Sequence, residues 1–211
     1  LVPFLPNISR LLAEGRRDEA AVLLDRTLAL TAFLGYLGAL TVVVLQEPLI
    51  VLLSNRDYLE GARVVGLLAA AICVAVQTGV IGQTLIALGR PAYVTIANIL
   101  TALVSIAANC LFIPVLGVAG AGVAALLATV AGGALHVFYL RRQGMPLDLA
   151  ACLKPQLIML AAGGCIVLFD GVPAARLAAW ALFLALSLAL GVVRPTELRR
   201  MAAAILRRST S

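Results

Sequence analysis

Long apolar runs separated by short polar gaps dominate this chain. Six are readable: Leu28–Leu53, Ala62–Leu88, Ala92–Leu116, Val118–Leu140, Pro155–Phe169 and Leu177–Val193. At about 1.5 Å of rise per helical residue, five of them cross a hydrocarbon core of about 30 Å unaided. Pro155–Phe169, closed by Asp170, needs Leu153 and the Gly171–Ala175 stretch to complete its span. Only helices or closed barrels satisfy backbone polar groups in lipid. The pattern therefore predicts an all-α, polytopic membrane protein of about six transmembrane helices.

Polar residues inside the runs are few and periodic. In the third run Thr95, Asn98, Ala102, Ser105 and Asn109 step by three and four, which puts them on one side of a helix. Two amides and a hydroxyl turned toward lipid would be costly, so this side faces protein or a water-filled cavity. In the second run Cys73, Gln77, Val80 and Thr84 recur at helical spacing, Gln83 is also polar, and Gly79 and Gly82 allow close approach of another helix. The fourth run repeats small residues every four positions at Gly120, Ala124, Ala128 and Gly132, a helix-packing seam. Between the third and fourth runs the turn around Gly117 is so short that an antiparallel hairpin is expected. His136, the sole histidine, reads as a packed or interfacial residue, since no carboxylate shares its helix.

Ahead of the first run, charges crowd Arg10–Glu19, and apolar Ala21, Val22 and Leu24 alternate with Glu19, Asp25 and Arg26. That pattern predicts an amphipathic helix lying at the membrane surface and leading into the first span. The organisation expected is an amphipathic segment over 1–27, a four-helix membrane core over 28–142, two additional helices over 143–193 and a basic tail over 194–211. The missing initiator Met suggests a piece of a longer protein.

Charge sets an orientation. Arg10, Arg16, Arg17, Arg26, Arg90, Arg141, Arg142, Lys154, Arg194, Arg199, Arg200, Arg207 and Arg208 fall on one set of segments; only Arg56, Arg63 and Arg176 fall on the other. Basic loops resist translocation, so the rich side is expected to be cytoplasmic, with both ends of this chain there. The net charge of +6 then needs no nucleic acid: the cations meet anionic membrane lipids. A chain 63% hydrophobic and 12% charged, with a mean hydropathy of +1.07, would as a soluble domain show too much apolar surface to water.

Catalytic chemistry is thinly represented. Cys73, Cys110, Cys152 and Cys165 are scattered, with no CxxC and no histidine at ligand spacing, so neither a metal site nor a disulfide framework is expected. No phosphate loop, HExxH or GxSxG occurs. None of the ten acidic residues falls at mid-membrane, and only Glu47 lies inside a run, near its end, which leaves no midplane carboxylate to carry ion coupling. No enzyme activity and no cofactor are expected.

Four places resemble a known family. These are Pro6-Asn7-Ile8-Ser9-Arg10-Leu11 with Ala13-Glu14-Gly15; Glu47-Pro48-Leu49-Ile50 through Tyr58 and Ala62; Ala87-Leu88-Gly89-Arg90; and Ile113-Pro114 with Gly117, Gly120-Ala121-Gly122 and Ala124. In order and spacing they resemble the C-terminal half of the polysaccharide transporter branch of the multidrug/oligosaccharidyl-lipid/polysaccharide flippase superfamily. Ser54-Asn55 departs from it, where relatives place an aromatic-glycine pair. The resemblance implies two helical lobes around a central cavity, this chain supplying the later helices of one lobe and a missing N-terminal lobe of the same transporter completing it. It further implies export of lipid-linked O-antigen or capsule units across the inner membrane by alternating access.

From the helical faces, Gln77, Gln83, Asn98, Ser105 and Asn109 are the candidate cavity residues. Relatives hold anionic pyrophosphate-linked lipids with cations, which makes Arg90 the candidate anchor beside its simpler reading as a cytoplasmic-side charge. The function expected is flipping of an undecaprenyl-pyrophosphate-linked oligosaccharide for surface polysaccharide synthesis. The alternatives are a cation-coupled multidrug exporter of the same superfamily and a membrane enzyme of glycan assembly, the latter opposed by short, bare outer loops.

Overall fold

The structure, a computed structural model, describes residues 4–53, 62–148, 153–159, 161–162 and 173–191. The outer turn expected around Tyr58, most of the 155–169 run and the basic tail expected over 194–211 lie outside them. Every regular element among the described residues is helical: α1 (Phe4–Ala13), α2 (Arg17–Leu53), α3 (Ala62–Ala87), α4 (Pro91–Leu116), α5 (Val118–Arg142) and α6 (Pro173–Ala189), with a further helical stretch over 153–159. Four of these are long and apolar enough to cross a membrane, within α2 and α3 and over α4 and α5; α6 is shorter. The chain is a multi-pass helical membrane protein.

The surface segment expected over 1–27 is divided in the structure. Pro6 sits within the first turn of α1, where a missing N–H is harmless. Gly15, at φ +74°, turns the chain, and Arg16 clamps the turn by hydrogen bonds to Glu14 (2.8 Å) and to both carboxylate oxygens of Glu19. From Arg17 the helix runs 37 residues without a break, through residue 27 and through Pro48. Nothing between Asp18 and Arg26 breaks a helix, so the amphipathic turns and the span are one rod.

Alternate helices run antiparallel, which gathers the α1–α2 turn, the α3–α4 turn and the end of α5 at one end. A core of Ile8, Leu24, Leu28, Leu85, Leu140 and Met145 ties α1, α2, α3 and α5 together there. Arg10, Arg16, Arg90, Arg141 and Arg142 share this end. The second core joins α2 to α6 and to the 153–162 region: Phe33 and Tyr36 pack on Phe183, at ring distances of 6.2 and 6.3 Å, beside Ile158 and Ala162. Trp180 Nε1 donates to Thr41 Oγ1 at 3.1 Å across the same junction.

The expected hairpin is present, with Gly117 at φ +59° as the whole connection between α4 and α5. Its tightness is built by glycine. A Cβ on Gly120 would overlap the Phe112 carbonyl, and one on Gly132 would collide with Thr101 Oγ1, so side chains there would push α4 away. The other side of α5 accommodates α3 in the same manner: a Cβ on Gly122 would lie 3.1 Å from Leu67 Cβ, and one on Gly133 3.1 Å from Thr78 Oγ1. The expected seam of Gly120, Ala124, Ala128 and Gly132 is buried, and it continues at the same spacing through His136 and Leu140.

Candidate functional site

Helices α3 and α4 both pack on α5 but touch each other little, so a groove opens between them with α5 as its floor. It encloses about 270 Å³. Thr78, Gly82 and Gln83 of α3, Asn98 and Thr101 of α4, and Thr129, Gly132 and His136 of α5 line it, among apolar Ala75, Ile86 and Val94. No charged side chain belongs to this lining.

The threonine hydroxyls are already engaged. Thr78 donates to the Val74 carbonyl (2.9 Å), Thr101 to Ala97 (2.7 Å) and Thr129 to Ala125 and Leu126 (3.0 and 2.9 Å). Such bonds to the preceding turn satisfy a hydroxyl proton inside an apolar helix and leave the oxygen lone pairs for another partner.

His136 is 2% exposed, and its Nδ1 lies 2.8 Å from the Gly132 carbonyl. A carbonyl only accepts, so Nδ1 carries a proton toward it, and a ring holding that one proton offers Nε2 as an acceptor. The Nε2 edge faces Gly82: a Cβ there would lie 3.6 Å from Cδ2 and from Nε2. The absent side chain on α3 is what keeps that edge open to the groove.

The six residues singled out from the sequence separate into distinct places. Gln83 and Asn98 face the groove from opposite walls, both exposed. Ser105 and Asn109 continue the same side of α4 beyond Thr101, outside the groove lining; Asn109 Nδ2 donates back to the Ser105 carbonyl at 2.8 Å. Gln77 does not line the groove. It is 4% exposed, accepts from Gln156 Nε2 at 2.9 Å and donates to the Cys73 carbonyl at 3.4 Å, joining α3 to the 153–159 helix. Arg90 is exposed in the α3–α4 turn, where its backbone N–H donates to the Leu85 carbonyl at 2.9 Å. His136 and the three threonines were not among the sequence candidates. The available signal was position: His136 stands four residues after Gly132, one more step along the seam.

Among the described residues no group of three or more histidine, cysteine, aspartate or glutamate side chains could hold a metal. Tyr93 stacks on Tyr139 at 4.8 Å, and the Arg142 guanidinium sits 4.7 Å over the Phe138 ring, near the basic end of the α4–α5 pair. Aromatic rings and cations of this kind suit the headgroup level of a bilayer.

A family model described as lipid II flippase MurJ matches residues 1–191. No match was found among curated proteins. Among solved structures, one described as lipid II flippase MurJ in an inward closed conformation is similar in fold. Its TM-score is 0.65 at 16% identity, over 90% of this chain and 43% of that one. The chain thus spans less than half the length of that structure.

Proposed function

Because this chain belongs to the lipid II flippase MurJ family, a family of transporters and not of enzymes, we propose that it forms part of a transporter that moves a lipid-linked oligosaccharide across the inner membrane. The family match favours lipid II over the O-antigen or capsule unit to which the sequence resemblance pointed; both belong to one class of lipid-linked glycan. The observation that carries the reading is that match along nearly the whole chain, joined to a polar groove between apolar helices. Gln83 and Asn98 are the sequence candidates best placed to meet substrate. Ser105 and Asn109 extend the same polar side of α4. Gln77 serves the junction with the later helices, and Arg90 serves as a headgroup-level cation.

The remainder of the transporter is a preceding lobe of the same polypeptide, and alternating access comes from the two lobes rocking about the cavity between them. The clustering of Arg16, Arg90, Arg141 and Lys154 on one set of segments supports a cytoplasmic placement of both ends. The drug-exporter alternative draws no support from the groove, which has no acidic side chain to carry a coupling cation.

Depletion of the complete gene product in its host tests the reading. The probe is an impermeant glycan label applied to intact cells and to lysates. Intact lipid II building up only where lysis exposes it supports flipping. Lipid II still reaching the outer leaflet at the normal rate rejects it.

A further inference from the structure

The groove has a hydrogen-bonding polarity that its residue names do not reveal. Its fixed groups are acceptors: the protons of Thr78, Thr101 and Thr129 are held by backbone carbonyls, and His136 presents Nε2 while Nδ1 is held by Gly132. Only Gln83 and Asn98, exposed on the rims, can turn either a donor or an acceptor inward. A guest here must therefore supply donors. No acidic side chain lines the groove to offset a cation, and no cationic one to hold a phosphate. At about 270 Å³ the space falls below the roughly 300–1,000 Å³ of clefts for drug-sized ligands, so it holds one ring-sized group. The apolar lining of Ile86 and Val94 suits the less polar faces of such a ring.

We infer that this groove is a seat for one uncharged, hydroxyl- and amide-bearing unit, of the sugar class, with His136 Nε2 as its buried acceptor. The assignment rests on the flippase reading for its substrate, and it divides the work: the glycan is held here, and the pyrophosphate elsewhere in the complete transporter. A site that hydrogen-bonds a ligand hydroxyl or amide discriminates strongly against analogues that cannot donate. Gly82 is then a specificity residue, because a methyl group there stands against Nε2.

The test uses the purified full-length transporter and two probes, octyl N-acetylglucosaminide and farnesyl pyrophosphate, titrated calorimetrically. His136→Leu removes the acceptor and His136→Gln returns an amide oxygen near the position of Nε2. The expected result is sugar affinity lowered about tenfold by His136→Leu, the order expected when a buried hydrogen-bond partner is lost, and restored to within about threefold by His136→Gln. Pyrophosphate affinity should be equal in all three. Gly82→Ala should weaken the sugar several-fold while thermal stability is kept. Equal sugar affinity in wild type, His136→Leu and Gly82→Ala overturns the inference, as does a loss confined to the pyrophosphate probe. Should His136→Leu fail to fold, Gly82→Ala and Asn98→Leu decide alone, and wild-type affinity in both overturns it. The leaflet assay is independent of these titrations. Sugar binding through His136 without flipping sinks the flippase reading alone, and flipping with unaltered sugar affinities sinks this inference alone.

Discussion

Helices α4 and α5 are the two arms of one hairpin, nearly equal in length and both apolar, yet they are held in opposite ways. In α5 seven residues are buried, Gly120, Gly122, Ala124, Ala128, Gly132, His136 and Leu140, because small side chains let α4 and α3 close on two of its sides. In α4 only Ala97 and Ala108 are buried, while Leu103, Ile106 and Leu111 are more than half exposed. The difference is one of role. Small residues make α5 a ridge fixed by backbone contact, and α4 is fastened along one line, leaving its polar stripe and most of its apolar side chains uncovered.

The largest effect expected is at the ridge. Gly120→Ala puts a methyl group into the Phe112 carbonyl, a backbone atom that cannot swing aside, and should cost about 3 kcal/mol or separate the hairpin outright. Thermal unfolding in detergent and the yield of monodisperse protein would show it. Gly132→Ala meets a side chain, Thr101, which can rotate if it gives up its bond to Ala97, so about 1–2 kcal/mol is expected. Next comes Gln77→Leu, which leaves the Gln156 amide without its acceptor in a part-buried place and should cost about 1–2 kcal/mol. Its loss should appear as earlier protease cleavage between residues 143 and 173, while α3, α4 and α5 stay protected. Smallest is Leu103→Ala on the open side of α4: a side chain already 57% exposed should change stability by less than about 0.5 kcal/mol. A loss above about 1 kcal/mol in the same assay would mean that α4 is covered as fully as α5 and would end the contrast.

Much of this contrast was legible beforehand. Short-range backbone chemistry declares itself in sequence: Gly89-Arg90-Pro91 stops one helix and starts the next, Gly117 turns the hairpin, and the four-residue spacing of small side chains marks the ridge. The 27/28 boundary was less legible because amphipathicity changes there while helix propensity does not, so α2 passes through it unbroken. Residues of like chemistry also parted company. Gln77 and Gln83 are six positions apart, which on a helix turns them about 120° from each other. Cys73, Gln77, Val80 and Thr84 do share a face, and all four are buried, so that periodic polarity marked contact with neighbouring helices. Asn98 and Asn109 do share a side, but Asn109 lies past the groove and folds its amide onto its own helix. Composition and periodicity fix the direction of a side chain and say nothing about where two neighbouring helices stand apart, which is what makes the groove.

One consequence lies in the length of α2. Thirty-seven helical residues make a rod of about 55 Å, nearly twice the hydrocarbon thickness. Phe33 and Tyr36 grip it near its middle against α6, and Leu24 and Leu28 near its start against the core at the basic end. Held near its middle, such a rod would act as a lever. A tilt of about 10° about its centre carries each tip some 5 Å, by the geometry of a rigid helix. A motion small enough to leave the packing around Tyr36 intact would thereby move both ends of the helix at once, in opposite directions.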